Sequence, residues 1–142
     1  MDRPAGAAVA ALAVAATGLG ASDQTGGALV ARLNVNQELP QPNARNGTGS
    51  FTGTIRGGRL TWTLRFSGLT GPAGAAHIHL ALAGAANPVP TVPLCGPCRS
   101  GQRGTAPVTA AVARRILRGG AYVNIHTGRN KAGEVRGQIA SS

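Results

Sequence analysis

The sequence predicts an all-β domain, an antiparallel sandwich or Greek-key barrel with one short helix in a connection. Three observations carry this prediction. Apolar and polar residues alternate with a period of two over several short runs. The 22 Gly and 9 Pro punctuate those runs with turns. Only one stretch has helical spacing. The 142 residues suit one domain, and a hydrophobic share of 42% is enough for a packed core.

The elements follow in order. Residues 28–39 alternate, with Leu29, Ala31, Leu33 and Val35 facing one way and Arg32, Asn34 and Asn36 the other. Phe51, Gly53 and Ile55 alternate with Thr52, Thr54 and Arg56. Gly57-Gly58 then reads as a two-residue hairpin turn, because both positions tolerate positive φ. The return strand sets Leu60, Trp62, Leu64 and Phe66 against Thr61, Thr63, Arg65 and Ser67. Residues 75–83 read as a strand with Ile78, Leu80 and Leu82 on one face and His77 and His79 on the other. Residues 87–104, rich in proline, read as a long loop. Residues 108–118 have helical spacing through Val108, Val112 and Ile116, stopped by Gly119-Gly120. Residues 122–127 and 133–140 are the last two strands.

Residues 1–22 read as a signal peptide. Asp2 and Arg3 precede an apolar run, Ala7 to Ala16, and a small-residue exit, Thr17 to Ser22. The run is too short and alanine-rich for a comfortable membrane span. A buried N-terminal helix is the competing reading. Residues 23–27 are then a linker and residues 28–142 the domain. The expected location is secreted or in the cell envelope, with no membrane span once the signal is removed.

The net charge is +10, and Lys131 is the only lysine. Such a chain is drawn to polyanions. The arginines are scattered along the sequence, and the richness in Ala, Gly and Arg is also a bias of composition. Nucleic acid is disfavoured, because the few aromatics, Phe51, Trp62, Phe66 and Tyr122, sit at core-like strand positions. Arg114, Arg115 and Arg118 are the candidates for a polyanionic surface. An extracellular protein is the other class of partner.

Two segments carry a family resemblance. One is Gly71-Pro72-Ala73-Gly74-Ala75-Ala76-His77-Ile78-His79. The other is Gly120-Ala121-Tyr122-Val123-Asn124-Ile125-His126-Thr127, continuing through Gly133-Glu134-Val135-Arg136-Gly137-Gln138-Ile139. In this order they resemble the chordin-domain (CHRD) family. The resemblance implies an immunoglobulin-like β-sandwich, distantly similar to copper–zinc superoxide dismutase. It also implies an exported, extracellular protein; together with the absence of a catalytic set, the expectation is a non-catalytic module that binds a ligand or serves a structural role.

All three histidines lie in these segments. His77 and His79 project from one strand face, and His126 shares a face with Tyr122 and Asn124. Were the two strands adjacent, three imidazoles would converge as ligands for copper or zinc. The alternative is that they hydrogen-bond loop backbone and fix the fold. Dismutase chemistry is not expected. It needs more histidines and a zinc-ligating aspartate, and Asp23 is the sole Asp after the signal.

Cys95-Gly96-Pro97-Cys98 spells a thioredoxin tetrapeptide but lacks the strand-then-helix context that activates such a thiol. A local disulfide, Cys95 to Cys98, is expected instead. Glu134 and Arg136 sit at i and i+2, which predicts an ion pair on the final strand. No paired-carboxylate cleft, nucleophile elbow or phosphate cradle is present, so no catalytic residue is assigned.

Overall fold

The structure, a computed structural model, describes residues 27–142. The signal-peptide reading and most of the linker lie outside the described residues. The domain has the strands β1 (Ala28–Asn34), β2 (Thr48–Arg56), β3 (Arg59–Ser67), β4 (Ala73–His79), β5 (Pro90–Cys95) and β6 (Gln102–Pro107). A helix, α1 (Ala110–Leu117), leads to β7 (Tyr122–Thr127), β8 (Val135–Gln138) and a short β9 (Ala140–Ser141). The class is all-β with one helix, as expected.

All strand pairs are antiparallel, and the hydrogen-bonded path runs β5-β4-β7-β8-β1-β2-β3-β6, with β9 beside β1. The two end strands, β5 and β6, also approach each other, so the sheet nearly closes on itself. The β2–β3 hairpin forms where alternation predicts it. Gly57 and Gly58 turn it at φ +54° and +74°, a combination other L-residues rarely adopt. The apolar side of each strand fills the interior: Phe51, Ile55, Leu60, Leu64, Ile78, Val123, Ile125 and Val135 are fully buried. Each such side chain contributes about 1.5–3 kcal/mol of burial.

Several boundaries differ from the sequence reading, each for a local reason. The first strand stops at Asn34, whose side chain accepts from the Gln37 amide at 3.0 Å and starts a single 3-10 turn. The helix begins after Thr109, whose hydroxyl caps the Val112 amide at 3.2 Å; Val108 packs in the core without being helical. The strand expected over residues 75–83 ends at His79. Beyond it, the carbonyls of Leu80 and Ala81 accept from the side chains of Asn87 and Gln138, and Leu82 is 66% exposed. The expected loop over residues 87–104 contains β5 and the start of β6. Proline hid β5, but β5 lies at an end of the path, where an absent N–H is tolerated. The final strand divides into β8 and β9.

Candidate metal centre

β4 and β7 are hydrogen-bonded neighbours, with His77 opposite Asn124 and His79 opposite Tyr122. Their inward residues, Ala76, Ile78, Val123 and Ile125, are core. The period of two therefore turns His77, His79, Tyr122, Asn124 and His126 to the outer face. β8 adds Arg136 and Gln138 beside them. The two histidine segments thus form one site.

The three imidazoles meet. One ring nitrogen from each of His77, His79 and His126 lies within 4.8 Å of the others. His77 Nδ1 and His126 Nε2 are 3.1 Å apart. His79 Nδ1–H donates to the Asn87 carbonyl at 2.8 Å, and His126 Nδ1–H donates to the Lys131 carbonyl at 2.8 Å. These backbone bonds fix the tautomer of both rings and leave Nε2 as a lone pair. A carbonyl partner on the distal nitrogen is the usual support of a metal-ligating histidine. His79 Nε2 is buried and has no hydrogen-bond partner. Burial, aided for His77 and His79 by neighbouring imidazoles, lowers the pKa of all three rings. The neutral, ligating form is favoured.

Tyr122 braces the cluster. Its ring stacks on His79 with centroids 5.0 Å apart and planes 6° from parallel. Its hydroxyl donates to the same Asn87 carbonyl at 3.0 Å. The Arg136 guanidinium lies 3.6 Å from the Tyr122 ring centroid, a cation–π contact. Near Asn124 and Gly133 sits Glu38, 1% exposed. Burial raises its carboxyl to about 7, against the opposing pull of the Leu39 amide, Asn124 and Arg136. Gly133, at φ +126°, leaves the space these groups use; a Cβ there would reach 2.7 Å from Asn124 Nδ2 and run into the Glu38 carboxylate. A cleft of about 310 Å³ opens onto His79 and His126 between Leu39-Pro40 and Lys131-Ala132.

One expected contact is not made. Glu134 and Arg136 do not form an ion pair. The Glu134 carboxylate accepts from the Thr70 amide at 2.8 Å, from the Thr70 hydroxyl, from Thr127 at 2.8 Å and from Asn130 at 2.9 Å. Glu134 precedes β8, so the i, i+2 rule for a shared strand face does not apply to it. Arg136 instead donates to the Leu82 carbonyl and the Gln138 side chain and faces Tyr122. The sulfurs of Cys95 and Cys98 are joined, with Cα atoms 5.3 Å apart, at the end of β5, where Cys95 pairs with Ala76 of β4, the residue before His77. The Cys98 amide donates to the Ala73 carbonyl at 2.9 Å, so the loop is tied to the start of β4.

Sequence reasoning found the three histidines but assigned no role to Asn87, Lys131, Glu38 or Asn124. Asn87 and Lys131 act through backbone carbonyls, which no side-chain pattern reports. Glu38 lay at the end of an apparent strand, with no sign that it would be buried.

An antiparallel β-domain with a three-imidazole cluster on one outer face is thus the class of protein that fold and site define. The CHRD domain model matches residues 29–139, and the chain belongs to that family. No curated protein and no solved structure matches the chain significantly.

Proposed function

We propose that this chain is an exported, non-catalytic metal-binding module. Its centre is a mononuclear copper or zinc site held by His77 Nδ1, His79 Nε2 and His126 Nε2. One observation carries the reading: backbone carbonyls hold the Nδ1–H of His79 and of His126, while one ring nitrogen from each of the three imidazoles lies within 4.8 Å of the others and His79 Nε2 has no partner. A merely structural histidine cluster has no need of a buried, unpartnered Nε2 on His79. A three-imidazole set accepts a further ligand when loaded, and the cleft beside His79 and His126 is its way in. Export is supported by the N-terminal sequence, the cystine and the family. No helix among the described residues is long and apolar enough to cross a membrane.

Calorimetric titration of the metal-free chain with Zn(II) and Cu(II) tests the proposal. One equivalent should bind, and the His79→Ala, His126→Ala variant should lose about 100-fold or more in affinity. Equal affinity in both proteins would reject it and leave the histidines as scaffold.

A further inference from the structure

The fold orders the arginines that the sequence scatters. β1, β2, β3 and β6 are consecutive neighbours, and their outward residues fall in register. Arg32, Ser50 and Arg65 make one row across β1, β2 and β3. Thr52, Thr63 and Arg103 make the next, and Thr54, Thr61 and Thr105 the one after. Arg56 and Arg59 end the face, directly opposite each other at the hairpin. All five arginines are exposed. The result is a floor of threonine hydroxyls with cations at both ends, about 20 Å apart along β3 from Arg59 to Arg65 at the usual rise per residue. A shallow groove of about 490 Å³ runs over Ala28, Val30, Thr52, Thr54, Thr61 and Thr63.

No counter-charge is built in. Glu38 and Glu134 are the only acidic side chains among the described residues, and both are buried. Like charges placed directly opposite on a sheet destabilise it, and Arg56 against Arg59 is such a pair. Arg59 donates to the Thr105 hydroxyl at 3.2 Å, and folding gains little else from this arrangement, whereas an anionic ligand would. That ligand must be extended, charged at intervals and rich in oxygens that threonine can meet. A single-stranded nucleic acid would stack on an aromatic platform, but Phe51 and Trp62 are buried beneath the face. A membrane would need an apolar wedge, and Val30 is the only exposed large hydrophobic residue here.

We propose that the outer face of β1, β2, β3 and β6 binds an acidic polysaccharide of the uronic-acid type. Arg32, Arg56, Arg59, Arg65 and Arg103 pair with its carboxylates, and the threonines bond its hydroxyls. This surface uses other strands than the histidine cluster and does not depend on it.

The test is binding of the full chain to polygalacturonate at physiological salt, with competition by single-stranded DNA and by phosphatidylserine vesicles. The variant Arg56→Gln, Arg59→Gln, Arg65→Gln should bind at least about tenfold more weakly, since hydrogen bonds to charged groups are worth that much or more each. The variant Arg114→Gln, Arg115→Gln, Arg118→Gln removes the same charge from α1 and its C-cap and should stay within about twofold, as a screened surface charge does. Equal losses in the two variants would overturn the proposal, because net charge alone would explain the binding. So would the absence of binding, or displacement of the polysaccharide by DNA or vesicles at equal or lower concentration.

Discussion

Glu38 and Glu134 are the two buried carboxylates among the described residues, and their surroundings treat them oppositely. Burial would raise Glu134, but bonds from Thr70, Asn130 and Thr127 outweigh it and hold the carboxyl below its usual range. It pins the residue 68–72 loop and the residue 128–132 turn to the end of β7. Glu134→Ala leaves those donors unpaired and is expected to cost about 3 kcal/mol in urea unfolding. Glu38 accepts only from the Leu39 amide through Oε1, at 3.1 Å, while Oε2 has no partner. Its carboxyl stands at about 7 in the folded chain against an ordinary value of 4.5. Between those values the folded state keeps a proton that the unfolded state has lost. Its contribution to stability is therefore present below the lower value and lost as pH rises through the upper one. Compared with Glu38→Gln, the wild type should lose thermal stability from pH 5 to pH 8. Parallel melting curves for the two proteins would show that Glu38 does not titrate in this range.

At the scale of elements, legibility followed the source of order. The β2–β3 hairpin was legible because alternation and Gly57-Gly58 are both local. β5 was not, because Pro90 and Pro93 argue against a strand and only its place at an end of the sheet permits one. The shared face of His77 and His79 followed from a period of two, whereas the meeting with His126 required β4 and β7 to be neighbours. That pairing joins segments about fifty residues apart in sequence and has no local signature. The Glu134–Arg136 ion pair failed because Glu134 stands outside β8, bound by loops that only the tertiary fold brings near. The cystine belongs to the β5–β6 connection and to the edge of the sheet. The variant Cys95→Ser, Cys98→Ser should lose about 2 kcal/mol of stability, the chain-entropy value for so short a loop. Its zinc affinity should match the wild type; a coupled loss would place the loop in the support of the histidines.

Across the whole molecule, one antiparallel sheet separates two kinds of chemistry. The β4, β7 and β8 part holds three imidazoles against a buried polar network. The β1, β2, β3 and β6 part presents arginine and threonine to solvent. Between them lies an interior of aliphatic and aromatic side chains that gives both surfaces a rigid base. The central claim is the histidine centre, and X-ray absorption at the zinc edge of the zinc-loaded full chain tests it most directly. The account predicts a first shell dominated by imidazole nitrogen at about 2.0–2.1 Å, with roughly one nitrogen fewer in His79→Ala. A shell of oxygen without imidazole scattering, or one that His79→Ala leaves unchanged, would contradict it.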